Sequence, residues 1–157
     1  MKDNEKVTLV QAEENSPKEK ELGMGWHDFL VIWYGIVGWG GIIVGIAIVV
    51  LGAIAIQPAG IIGGVLSIGV AAITLETRKK LDDFDSDAID SLKIMYGARL
   101  VSIFVDIFLS LSIDPSHTVD YMDIIFDVLR VVIFFAINIS YYKKREDMFI
   151  DDDEDEE

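Results

Sequence analysis

The chain of 157 residues contains no cysteine. That absence excludes disulfides, thiolate zinc sites, iron–sulfur clusters and cysteine nucleophiles, and it leaves the redox compartment open. Positive charge is scarce as well: 13 lysines and arginines face 27 aspartates and glutamates, giving a net charge of −14. A chain so acidic offers no basic groove to a phosphate backbone, so nucleic acid is not an expected partner. The stretch Met1 to Gly25 lacks the basic region and apolar run of a secretory signal. Prolines number three, at positions 17, 58 and 115, and each reads as a boundary marker.

What is present is apolar. Hydrophobic residues make up 52% of the chain, and the mean hydropathy is +0.39 despite the charge. The charge therefore sits apart from the apolar runs. Residues 1–25 read as a disordered tail with a capping box at Ser16-Pro17-Lys18-Glu19. Residues 146–157 carry nine acids and no base, and read as a second disordered tail. Between them, residues 26–145 form the membrane domain.

No charge interrupts Phe29 to Ile56, which exceeds the ~20 residues that cross a hydrocarbon core of about 30 Å. A span over about 33–56, with Trp26, His27 and Asp28 at headgroup level, absorbs the excess. Gln57-Pro58 breaks that helix and opens a second span over 59–76, followed by Glu76-Thr77-Arg78-Lys79-Lys80. Third and fourth spans cover 94–113 and 121–142. The expected fold is thus all-α and polytopic, with four transmembrane helices in two antiparallel hairpins. Leu81, Phe84, Ala88, Leu92 and Tyr96 recur at spacings of three and four, which predicts an amphipathic segment lying along the membrane surface between the hairpins, with Asp85 or Ser86 as its cap.

Basic residues set the orientation. Outside the spans they fall in the N-terminal tail, in the central loop (Arg78, Lys79, Lys80, Lys93) and after the last span (Lys143, Lys144, Arg145). Four spans put all of them on one side, which predicts cytoplasmic N- and C-termini in a cell membrane.

Two features bear on function. In the first two spans, Gly41-x-x-x-Gly45 and Gly60-x-x-x-Gly64 line up on one helix face, the spacing that lets helix backbones approach closely in lipid. Packing within the chain is preferred over a homodimer face, because the hairpin already supplies the partner helix. In the last two spans, Arg99, Ser102, Asp106 and Ser110 share a face, and Asp123, Asp127, Arg130 and Asn138 share another. Charges at such depth point at each other or at water. With the intervening loop centred near His117, an Asp106–Arg130 ion pair is expected, as is a match of Arg99 to Asn138, and Asp127 is placed to share Arg130 along its own helix. The leading reading is a non-enzymatic protein in which this cluster fixes register and the protein acts through packing or partner contacts. The alternative is a small transporter or channel component using Arg99, Asp106, Asp127 and Arg130. Beyond the lipid bilayer, a second copy or another membrane protein are the partners the surface allows. No cofactor or metal is expected: Asp83-x-Asp85-x-Asp87 lacks the glycine and closing glutamate of a calcium loop. Asp114, His117, Asp120 and Asp123 read as turn and capping residues.

The ending Tyr141-Tyr142-Lys143-Lys144-Arg145, followed by Met148-Phe149, resembles that of small uncharacterised four-helix bacterial membrane proteins. The resemblance extends in hydropathy from Trp26 to Phe149. It implies a multi-pass membrane protein and carries over no site residues.

Overall fold

The computed structural model describes residues 24–113 and 120–149. The N-terminal tail with its Ser16-Pro17 cap, the loop over 114–119 that includes His117, and the acidic tail beyond Phe149 lie outside the described residues. The described residues are helical, with no extended strand among them. Helix α1 covers Gly25–Ile54, α2 Pro58–Asp82, α3 Ala88–Ile113 and α4 Tyr121–Lys143, followed by a 3-10 turn over Glu146–Met148.

Helices α1 to α3 are long and apolar enough to cross a membrane, and only 17% of the residues in the most apolar stretch of each are buried. Ile36, Ile43, Phe104 and Phe108 are all more than half exposed. Such faces are stable only against an apolar medium. Lipid-facing side chains gain nothing by meeting one another in hydrocarbon, so close backbone packing takes over as the cohesive force.

That packing is most extensive between α1 and α2. A Cβ placed on Gly41 would stand 2.9 Å from that of Ala71, one on Gly45 would stand 2.9 Å from the Gly64 carbonyl oxygen, and one on Gly52 would stand 2.8 Å from the Ile61 amide nitrogen. Partner numbers fall on α2 as they rise on α1, so the two run antiparallel. A Cβ placed on Gly60 would stand 3.3 Å from the Cα of Gly52. All four glycines of the two small-residue motifs therefore sit in the α1–α2 contact. Gly35 continues the stripe differently: it leaves room for Arg78, whose Nε donates to the Val31 carbonyl at 3.0 Å.

Two departures from the expected layout concern the turns. Helix α2 runs through the basic cluster to Asp82, and α3 begins at Ala88, so the connection is a short turn instead of a surface helix. The amphipathic face is real but points inward: Leu81, Ala88 and Leu92 are fully buried and Tyr96 nearly so. The protein interior satisfies that face in place of lipid headgroups. Asp85 forms a turn ahead of α3 instead of capping it, its carboxylate accepting the amide of Asp87, which precedes the helix, at 2.7 Å, while Asp87 pairs with Lys80.

Both α1 and α2 end in a left-handed residue that is not glycine, Ile56 with φ 54° and Phe84 with φ 53°. In each case the next amide reaches back five residues, Gln57 to the Gly52 carbonyl and Asp85 to the Lys80 carbonyl. This is the Schellman helix stop, a position that glycine usually occupies because L-residues are strained there. Phe84 is held by its ring, which stacks on His27 at 4.8 Å and meets Phe149 at 5.8 Å.

Side-chain burial concentrates at this Phe84 end, where Leu30, Val31, Tyr34, Leu81, Leu92, Met95, Tyr96 and Tyr142 form one core. Helix α4 packs on α3 over a shorter stretch than α1 does on α2.

Candidate functional site

Two polar groups lie inside the bundle, one at the Phe84 end and one about two turns deeper. The first centres on Asn138, whose side chain is fully buried. Its Oδ1 accepts from Trp26 Nε1 at 3.0 Å, and its Nδ2 donates to the hydroxyls of Tyr34 at 3.1 Å and Tyr96 at 2.6 Å. The two hydroxyls also share a hydrogen bond of 2.9 Å. Three helices are joined in this way: α1 through Trp26 and Tyr34, α3 through Tyr96, α4 through Asn138. One turn further along α4, the Tyr142 hydroxyl lies 3.3 Å from His27 Nδ1. Helices α1 and α4 are thus clasped at this end by polar and aromatic contacts.

Arg99 was expected opposite Asn138. Instead Tyr96, one turn earlier on α3, takes that place, because a phenol hydroxyl can bond an amide without bringing a charge into a dry interior. Asn138-Ile139-Ser140 has the residue pattern of a glycosylation acceptor, but the asparagine side chain is enclosed.

The second group lines a cavity of about 350 Å³. Helices α1 and α2 contribute Gly41, Gly63, Ser67 and Thr74 to its wall, α3 contributes Arg99, Ser102 and Asp106, and α4 contributes Asp127 and Arg130. The i, i+3 and i, i+4 spacing of these residues on α3 and α4 is what brings them to one space. Ser67 reaches towards the Gly41 carbonyl at 3.5 Å, while Thr74 and Ser102 bond carbonyls of their own helices.

The charged groups do not pair as the register argument predicts. Arg130 binds Asp127 on its own helix, with 3.2 Å between Nη1 and Oδ1. Asp106 makes no ion pair or hydrogen bond with any described residue. Arg99 Nε is buried and has no hydrogen-bond partner among the described residues. The physical reason is local: Asp127 lies one turn from Arg130, so that pair closes without spanning the gap between helices. Of the eight polar residues that the sequence places on these two faces, Arg99, Ser102, Asp106, Asp127 and Arg130 share the cavity, while Ser110, Asp123 and Asn138 stand apart from it.

A cleft continues from this cavity towards the Phe84 end, between α1 and α4. It is lined by Phe29, Trp33, Tyr34 and Phe134 with Arg99 and Arg130 at its floor. Below the Asn138 clasp, α1 and α4 thus separate, and the cavity opens sideways. Sequence reasoning missed Trp26, Tyr34 and Tyr96, which read as interfacial or core aromatics; the only signal was that their hydroxyl and indole groups need partners when buried.

No protein-family model matches the chain, and neither a curated protein nor a solved structure does.

Proposed function

We propose that this chain is a four-span integral membrane protein that holds a small polar solute or ion in its central cavity, a transport-type role in place of a purely structural one. The observation that carries this reading is that Asp106 and Arg99 line one cavity while neither has a charge partner among the described residues. An ionised group inside hydrocarbon costs about 2.5–3.5 kcal/mol on insertion scales. Charges kept only to fix a helix register are expected to neutralise each other, as Asp127 and Arg130 do. Asp106 and Arg99 are left to something that enters.

The fourth span is part of the proposal. Helix α4 has 23 residues, which at ~1.5 Å per residue covers a ~30 Å core, and the Asp127–Arg130 pair lowers the cost of its two central charges. Four spans place the basic ends of the helices and both termini in the cytoplasm. The resemblance carried by Tyr141 to Phe149 fits such a multi-pass, non-enzymatic protein of the cell membrane.

The cavity is testable because the native chain has no cysteine. A Ser102→Cys variant in sealed vesicles should react with a charged, membrane-impermeant thiol reagent. A Val101→Cys variant should not, since Val101 is 59% exposed on the outer surface of α3 and meets lipid there. Proton flux in proteoliposomes carrying an internal pH dye should then depend on the protein and fall in Asp106→Asn. Equal silence at both cysteines, or flux indifferent to Asp106→Asn, refutes the reading. The register reading has its own support in the Asn138 clasp and the Asp127–Arg130 pair. It predicts that Asp106→Asn changes neither labelling nor flux.

A further inference from the structure

The cavity wall is incomplete on the α4 side. Asp127 and Arg130 form an ion pair, yet their side chains remain 53% and 69% exposed. On a helix that crosses the bilayer, this is charge presented at the membrane interior with no protein over it. Lipid will not solvate it on the outer side of the helix. A stripe of α4 continues from these residues through Phe126, Phe134 and Ile137, all at least two-fifths exposed. By helical phase this stripe lies on the α1 side of α4, beside the cleft that Arg130 and Phe134 line.

We propose that this face is covered by the same face of a second copy of the chain, related by a two-fold axis along the membrane normal. Charge complementarity selects that occupant. In such a dimer the two copies of α4 run parallel, so Asp127 of each copy lies within about 4.5 Å in depth of Arg130 of the other. An acid and a base one turn apart on an exposed face are self-complementary under a two-fold rotation: each carboxylate meets the partner's guanidinium, giving two such contacts per dimer, and no like charges need face. The pair within each helix becomes a four-membered cluster, and the side opening of the cavity is sealed by the second subunit. The glycine stripes are not available for this contact, because α1 and α2 already occupy them. This interface has meaning only if α4 spans the bilayer as proposed above; failure of that topology would appear as a misplaced reporter, independently of any cross-link.

Two experiments on the full chain in membranes test the interface. Single cysteines at Phe126, Phe134 and Ile137 should form dimers on mild oxidation, whereas cysteines at Ile125 and Val132, which are similarly exposed but on the opposite face, should not. Charge reversal supplies the second arm. Asp127→Arg and Arg130→Asp should each weaken self-association by about tenfold or more, since like charges then face across the dimer. Co-expression of the two variants under different tags should restore pairing, because each reversed copy complements the other. Recovery in the mixture is not expected of a pair that acts only within its own helix. A wild-type chain that counts as single subunits in bilayers overturns the proposal. So do cross-links confined to the opposite face, products with the mass of a different protein, or a mixture that associates no better than its separate variants.

Discussion

Replacing Gly64 by alanine adds one methyl group where backbone atoms of the α1–α2 contact come closest to a glycine. That Cβ would stand 2.6 Å from Val49 Cγ2, 2.7 Å from the Val49 amide nitrogen and 2.8 Å from the Gly45 carbonyl oxygen. Ordinary contact begins at 3.4 Å, so each atom must retreat by at least about 0.6 Å. Val49 Cγ2 can move by changing rotamer, but the other two are backbone atoms and move only if the helices separate. Separation loosens the whole stripe from Gly41 to Gly52, where dispersion between closely spaced backbones is the main cohesive force. Overpacking of this kind costs about 1–3 kcal/mol. Gly40 and Gly69 provide the control, because an added Cβ meets nothing within 4 Å at either position. Alanine there should be neutral or slightly stabilising, as alanine favours helix by about 0.8–1 kcal/mol over glycine in water. The measurement is thermal or denaturant unfolding of the four proteins in the same detergent or bilayer. Adding Val49→Ala should recover only part of the Gly64→Ala loss, since the two backbone contacts persist. Equal stability of Gly64→Ala and Gly40→Ala would refute the close-packing argument.

Three further outcomes follow from the turns, the clasp and the topology. Ile56→Gly should stabilise by about 1 kcal/mol by relieving a left-handed β-branched residue, whereas Phe84→Gly should destabilise because it also removes the ring against His27 and Phe149; unfolding midpoints decide, and a gain for Phe84→Gly would show that the stacking contributes little. Phe84→Ala should be worse than Phe84→Gly, as it loses the ring and keeps the strain. Asn138→Leu removes three hydrogen bonds and leaves the Trp26 indole unpaired, for a loss of about 2 kcal/mol at ~0.6 kcal/mol per membrane hydrogen bond plus the orphaned donor; Trp26 fluorescence should shift, and an unchanged spectrum and midpoint would argue against the clasp. A reporter fused after Phe149 should be active only in the cytoplasm, and a periplasmic signal would remove the four-span topology.

Helix positions were legible because hydropathy, proline and the bilayer thickness act locally. Gln57-Pro58 marks the start of α2, where Pro58 takes the first helical position, and Asp120 caps α4 by accepting the Met122 amide at 2.9 Å. The central connection was harder to read for a tertiary reason. A stripe such as Leu81, Ala88, Leu92 and Tyr96 has the same periodicity whether it lies on lipid or on protein, and only the other helices decide which. The helix stops were illegible because the usual sign is glycine, and neither Ile56 nor Phe84 carries it; at Phe84, aromatic contacts from His27 and Phe149, far along the chain, supply what the local sequence omits.

The polar cluster divides along similar lines. Periodicity correctly gathers Arg99, Asp106, Asp127 and Arg130 into one space, because three- and four-residue spacing fixes the side of a helix from which each emerges. Pairing across helices is another matter, since it depends on how far apart two helices stand at a given depth. The loop-centred register places Asn138 and Tyr96 at one level, and there the helices are close enough to bond. Deeper in the bundle the same register puts Asp106 near Arg130, but there a cavity lies between the side chains, and Arg130 turns to Asp127 on its own helix. The clasp and the cavity are therefore linked consequences of one geometry: neutral hydrogen bonds hold the helices together at the Phe84 end, and their divergence beyond it leaves Asp106 and Arg99 facing open space. If that is so, weakening the clasp by Asn138→Leu should widen the cavity mouth and raise the reactivity of Ser102→Cys towards the impermeant thiol reagent, and unaltered reactivity would uncouple the two sites.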